Sequence, residues 1–141
     1  MADRPRGLID TGAILALLNR NDRWHRPCTE SFPTLQLPLA TSAAILAEVF
    51  HLLPGPSDLS PAWRFLNSGA VTVLPITDDD LPALEELMLR YHDRPMDFAD
   101  ACIVAMSEQV TDCLVLTLDH DDFSTYRRHE REVIPFLSPR R

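Results

Sequence analysis

The sequence contains no lysine, so all 13 of its basic residues are arginine. A carboxylate drawn into the interior must therefore be balanced by a guanidinium, a metal ion or a proton. Cysteine is scarce: Cys28, Cys102 and Cys113 are odd in number, scattered and free of C-x-x-C spacing, which excludes a disulfide framework or a cysteine zinc site. No long apolar run is present. Residues 8–18 come nearest, but Asp10 interrupts them and no small-residue cleavage site follows, so neither a membrane span nor a secretory signal is expected. No repeat or low-complexity tract is visible, and a reducing cytoplasm is the expected location.

The length of 141 residues suits one domain, read here as a single unit over 1–141. A content of 45% hydrophobic and 24% charged residues is that of a globular chain. The formal net charge of -8 argues against holding nucleic acid by bulk electrostatics, because phosphate binding relies on neutralisation by basic residues. Local grips are still available at Arg20/Arg23/Arg26, Arg90/Arg94 and Arg127/Arg128/Arg131, since the guanidinium fork matches phosphate geometry.

Short apolar runs alternate with helical patterns. "GLID" (7–10), "PLATS" (38–42), "VTVLPI" (71–76), "LVLTL" (114–118) and "VIPF" (133–136) read as strands. Helical periodicity covers about 11–20, 24–33, 42–53, 60–68, 78–91 and 97–110. Such alternation implies an α/β fold, a parallel sheet covered on both faces. Ligands of these sheets bind beyond the carboxyl ends of the strands.

Acidic residues collect at those ends. Asp10 closes the first strand, Asp119 closes "LVLTL", and Asp121 and Asp122 follow. Asp10 also suits an N-cap for "TGAILALL". Glu48 falls on an apolar stripe with Ile45, Val49 and Leu52, where a carboxylate requires an arginine partner, a metal, or an edge position that reaches solvent. Asp100 precedes Ile103 and Val104 by one turn, on the core side of its helix, and Asp97 sits at that helix's start as an N-cap or first-turn acid. Thr41 and Ser42 are placed to hydrogen-bond Glu48 or to cap its helix. The five histidines, His25, His51, His92, His120 and His129, do not cluster at ligand spacings. An oxygen-only acidic set selects a hard cation, Mg²⁺ or Mn²⁺, and such ions drive phosphodiester hydrolysis.

The segments "LIDTGAILALLNRNDRWH", "ILAEVF", "MDFADACIVAMSE" and "VLTLDHDDFSTYR", in that order, resemble the acidic motifs of PIN-domain proteins, in particular the VapC-type toxin ribonucleases. The resemblance spans almost the whole chain. It implies a three-layer α/β/α sandwich around a parallel sheet of about five strands, and Mg²⁺- or Mn²⁺-dependent endoribonuclease activity on RNA. It places Asp10, Glu48 and Asp100 on the family's first three acids and makes Asp119 the choice for the fourth, with Asp122 as second candidate. Asp97 accompanies the third motif and is expected to shape the site. Gly12 stands where many relatives carry Ser or another small hydroxyl residue, so any hydrogen bond from that position is expected from Thr11 or the backbone, which makes Thr11 a supporting candidate. Partners implied are a small VapB-type antitoxin and a second copy of the chain in a homodimer. The antitoxin's docking helix is expected near Ile14, Leu17, Leu18 and Trp24. The competing reading is a PIN-like module that binds RNA or protein without cutting. The acid set favours the enzyme, because a pure binding module gains nothing from mutually repelling carboxylates. A phosphatase with an aspartyl nucleophile would want D-x-D after the first strand, where this chain has "DTG".

Overall fold

The computed structural model describes residues 4–110 and 113–139. Strands β1 (Gly7–Ile9), β2 (Leu39–Thr41), β3 (Val71–Val73), β4 (Leu114–Leu116) and β7 (Phe136–Leu137) form a parallel sheet in the order β3-β2-β1-β4-β7. Between them run helices α1 (Thr11–Leu18), α2 (His25–Ser31), α3 (Ala43–Leu52), α4 (Leu59–Leu66), α5 (Leu81–Arg90), α6 (Phe98–Ser107) and α7 (His120–Thr125). A small antiparallel pair, β5 (Arg127–Arg128) and β6 (Glu132–Val133), lies outside the main sheet. The chain walks one way from β1 to β3 and the other way through β4 to β7. With right-handed crossovers this reversal puts helices on both faces, giving the three-layer α/β/α sandwich.

The centre of the sheet is closed to solvent and apolar. Leu8, Ile9, Ala40, Val115 and Leu116 are fully buried, with Ile14, Ile45, Val49, Ile103 and Val104 packing from the helices. These β-branched and leucine runs match the near-continuous apolar pattern of strands covered on both sides. At Gly7 the strands approach so closely that a Cβ would lie 2.8 Å from both Leu114 O and Leu39 Cδ2. Larger side chains would push β1 off its neighbours at the sheet's centre. Among the described residues no helix is long and apolar enough to cross a membrane.

Several expected boundaries shift for physical reasons. The strand assigned within 71–76 ends at Val73; Leu74 N–H still donates to Thr41 O at 2.9 Å, and the bonding stops at Pro75, which has no N–H to give. In 133–136, Val133 belongs to β6, and the main sheet resumes at β7. Pro135 contributes only its carbonyl, which accepts from Val115 N at 3.0 Å. The run 114–118 stops at Leu116, so Asp119 does not close the strand as expected; it caps α7 instead. The helix expected from 78 begins at Leu81 after a 3₁₀ turn. Leu52, expected on the buried stripe of α3, is 55% exposed. It sits at the last residue of that helix, where the sheet no longer covers it.

Candidate metal centre

β1 lies between β2 and β4, the point where the chain's direction across the sheet reverses and where a crevice opens outside the strand ends. Asp10, Thr11, Gly12, Glu48, Asp97, Asp100, Asp119 and Asp122 line one crevice of about 480 Å³ there, with Leu15, Leu52, Pro95 and Leu118. Six carboxylates thus come together from four separate stretches of chain.

Helix capping does much of the positioning. Asp10 caps α1: its Oδ1 accepts from Thr11 N at 2.7 Å. Asp97 caps α6, its Oδ1 accepting from Asp100 N at 2.8 Å. Asp119 caps α7, accepting from Asp122 N at 3.4 Å. Each cap satisfies an orphan N–H and points a charge at the positive end of a helix, so the cap and site readings of Asp10 describe the same geometry. Glu48 is half-buried on α3. Ser42 caps that helix through Ile45 N at 3.3 Å, and Thr41 Oγ1 is buried with no hydrogen-bond partner, so neither bonds Glu48.

Asp100, Asp119 and Asp122 form the tightest group, each offering an oxygen within 4.8 Å of the others. Burial, then repulsion from Asp97 and Asp10, pushes the Asp100 carboxyl up to about 7, against the hydrogen bond from Tyr126. Asp119 is also pushed up to about 7, by burial and then by Asp122. The Asp10 carboxyl is raised by burial, against its bonds from Thr11 and Thr117. Glu48 is raised by burial, then by Asp97 and Asp10, with the Thr11 hydroxyl working the other way. Like charges gathered in partial desolvation hold protons into the neutral range. A cation would release them.

The fit to such a cation is good. All the charged donors are carboxylate oxygens, the set that hard divalent ions take. Thr11 Oγ1 is buried in the crevice wall beside Glu48, near enough to hold that carboxyl down but without a hydrogen bond of good geometry, so a bound water or ligand oxygen would complete its bonding. Among the described residues Arg94 is a cation at the rim, its Nε donating to Asp122 Oδ1 at 3.1 Å and an Nη to Asp121 O at 3.1 Å. Three of the other clustered arginines are engaged elsewhere: Arg90 with Glu86 and Glu130, Arg26 with Glu30, and Arg127 with the carbonyls of Ser124, Thr125 and Tyr126.

Two residues that sequence reasoning missed organise the acids. Thr117, fully buried after β4, donates to Asp10 Oδ2 at 2.9 Å and accepts from Asp119 N at 2.9 Å. Its signal was a hydroxyl two residues before Asp119, within an otherwise apolar run. Tyr126, also fully buried, donates to Asp100 Oδ2 at 3.2 Å; burial and the acids around it push its phenol above the ordinary range, so it stays a donor. Nothing in the spacing marked it. Among the expected docking residues, Ile14 is wholly in the core, so no partner can reach it, while Leu17, Leu18 and Trp24 pack half-buried against it.

The PIN domain family model matches residues 7–128. Ribonuclease VapC26 of Mycobacterium tuberculosis is 24% identical over 131 residues, covering 85% of this chain and 91% of that protein. Among solved structures, M. tuberculosis VapC20, described as a sarcin-ricin loop cleaving toxin, superposes with a TM-score of 0.69 at 23% identity, over 77% of this chain and 86% of that one. A toxin-antitoxin complex from Klebsiella pneumoniae gives a TM-score of 0.67 at 18% identity, over 95% and 98% of the two chains.

Proposed function

Because the chain belongs to the PIN-domain family, we propose that it is a metal-dependent endoribonuclease, the toxin of a VapBC-type toxin-antitoxin pair. The observation that carries this reading is the convergence of Asp10, Glu48, Asp97, Asp100, Asp119 and Asp122 on one crevice. Asp10, Glu48, Asp100 and Asp119, with Asp122, would hold Mg²⁺ or Mn²⁺. Asp97 fixes the start of α6 and thereby Asp100.

When bound, such a cation lowers the pKa of water, supplying hydroxide to attack a phosphodiester, and stabilises charge on the departing oxygen. The chain's own residues prepare that site. Thr117 and the Thr11 backbone N–H orient the Asp10 carboxylate from two sides. The Thr11 hydroxyl, held beside Glu48 without a well-formed bond, offers a polar contact to an incoming water or phosphate oxygen. Arg94, whose side chain is 37% exposed, stands where an RNA phosphate entering the crevice would pass and is the arginine best placed to grip it. Leu15 and Leu52 form an apolar lip.

That lip continues into a second groove lined by Leu15, Leu18, Leu52, Leu53 and Pro54, with Asn19, Asp22 and Asp58 at its polar edge. A partner helix of the antitoxin would lay apolar side chains there and extend a basic residue into the acidic crevice, taking the place of the cation. The family resemblance also supports pairing of the toxin with a second copy of itself. Induction of the chain in a bacterial host, with new 5′ ends mapped across total RNA, tests the reading. Cuts at defined positions, suppressed by co-expressing the neighbouring small open reading frame, are expected. Absence of both cleavage and growth arrest would overturn the toxin assignment.

A further inference from the structure

The hydroxyl of Tyr126 is the feature of the acidic site that packing alone does not require. Tyr126 follows α7, its N–H bonded to Asp122 O at 2.9 Å. Its ring is fully buried and meets two others edge-on, Phe123 at 5.5 Å and Tyr91 at 5.1 Å between centroids. Tyr91 is itself anchored, because its hydroxyl accepts from Arg127 N at 3.0 Å. A phenylalanine would fill the same space and make the same ring contacts. A buried phenol is costly unless its hydroxyl finds a partner, and here it donates to Asp100 Oδ2 at 3.2 Å.

Asp100 is in turn fixed at its backbone, where its N–H donates to Asp97. The aspartate side chain then has two torsions left. A donor held on a rigid aromatic cluster removes that freedom by engaging one carboxylate oxygen. We propose that Tyr126 is a positioning residue for Asp100, holding Oδ2 so that the carboxylate meets a divalent cation in one orientation. This rests on the reading of the crevice as a metal centre. Hydrogen bonds of this kind to a ligating carboxylate typically contribute ~10- to 100-fold to metal affinity or activity.

The test compares wild type, Tyr126→Phe and Phe123→Leu by three measurements: the dissociation constant for Mn²⁺ by calorimetry, melting temperature in EDTA, and kcat and KM for RNA cleavage. Tyr126→Phe is expected to melt near wild type in EDTA, to bind Mn²⁺ ~10-fold more weakly or worse, and to lose kcat with KM for RNA unchanged. Phe123→Leu loosens the same cluster but keeps the hydroxyl; it is expected to lower the melting temperature with a smaller loss of Mn²⁺ affinity. The proposal is overturned if Tyr126→Phe binds Mn²⁺ as wild type does. It is also overturned if Phe123→Leu loses as much affinity as Tyr126→Phe, because packing would then be the cause. A wild-type chain that binds no Mn²⁺ would sink the metal-centre reading itself, a separate outcome visible before any variant is compared.

Discussion

Thr117 Oγ1 donates to Asp10 Oδ2 at 2.9 Å while accepting from Asp119 N at 2.9 Å. One fully buried hydroxyl therefore ties the acid after β1 to the acid after β4, residues 109 positions apart in the chain (119 less 10). Thr117→Val removes this bond and leaves Asp10 partly uncompensated. A hydrogen bond to a charged group contributes about 1.5–3 kcal/mol, so urea denaturation of Thr117→Val is expected to show a loss of that order. A variant as stable as wild type would show that the bridge contributes nothing to the fold.

Metal should reverse the effect of removing an acid. In EDTA, Asp100→Asn takes away a charge that its neighbours and its burial disfavour, so this variant is expected to melt higher than wild type. With Mn²⁺ in excess the order inverts, because wild type gains stability by ligand linkage, about 2.7 kcal/mol at 100 times Kd, and the variant gains less. Asp10→Asn follows the same logic in metal and keeps the α1 cap, since Asn caps as well as Asp, but its amide nitrogen cannot accept the Thr117 bond made to Oδ2. Paired melting curves with and without Mn²⁺ check this; equal gains in all three proteins would place the cation elsewhere.

The metal-free protein should lose stability as pH rises. Asp100 and Asp119 titrate near 7 when folded, against 3.8 as the ordinary aspartate value. Between those values the folded chain binds more protons than the unfolded one, so their contribution is fully present below about pH 4 and is lost as pH climbs through about 7. Chemical denaturation in EDTA at pH 5.5 and 8 is expected to give lower stability at pH 8. Saturating Mn²⁺ should flatten that difference, because the cation displaces the same protons.

Much of this architecture is legible in the sequence, and the exceptions have physical causes. Asp10, Glu48 and Asp100 stand out because each breaks an apolar period, and a carboxylate there needs a reason. The sheet could be read from β-branched runs separated by turn residues. α7 was not, because "DHDDFST" is too short and too acidic to show an apolar face; it is held by the Asp119 cap and by Phe123 alone reaching the core. Thr117 and Tyr126 escaped because their roles depend on partners 107 and 26 residues away, distances that local spacing does not encode. Pro135 read as strand because its carbonyl does join the ladder, although its nitrogen cannot.

Glu48 has no arginine partner among the described ion pairs; it sits half-buried at the edge of its apolar stripe and lines the crevice. Glu48→Gln keeps the shape and removes the charge. It is expected to fold normally by circular dichroism and to lose at least tenfold in cleavage rate, a change of about 1.4 kcal/mol in transition-state stabilisation. Full activity would remove Glu48 from the site.

Asp119 and Asp122 can be separated by what each already holds. Asp122 is paired with Arg94 at 3.1 Å, whereas Asp119 caps α7 and is raised to about 7. The unpaired, proton-holding acid gains more from a cation. Asp119→Asn is expected to cost more activity than Asp122→Asn, measured as kcat/KM on one RNA; the reverse order would transfer the ligand role to Asp122.

The central claim, that the acids around Asp100 hold a divalent ion with which the chain cuts RNA, is met most directly by cleavage of an end-labelled RNA by the purified protein under Mn²⁺ titration. Wild type should cut at discrete positions, with a rate that saturates in Mn²⁺ and vanishes in EDTA, and folded Asp100→Asn should leave the RNA intact at every Mn²⁺ concentration. Cleavage that persists in EDTA, or that survives undiminished in folded Asp100→Asn, would contradict the account.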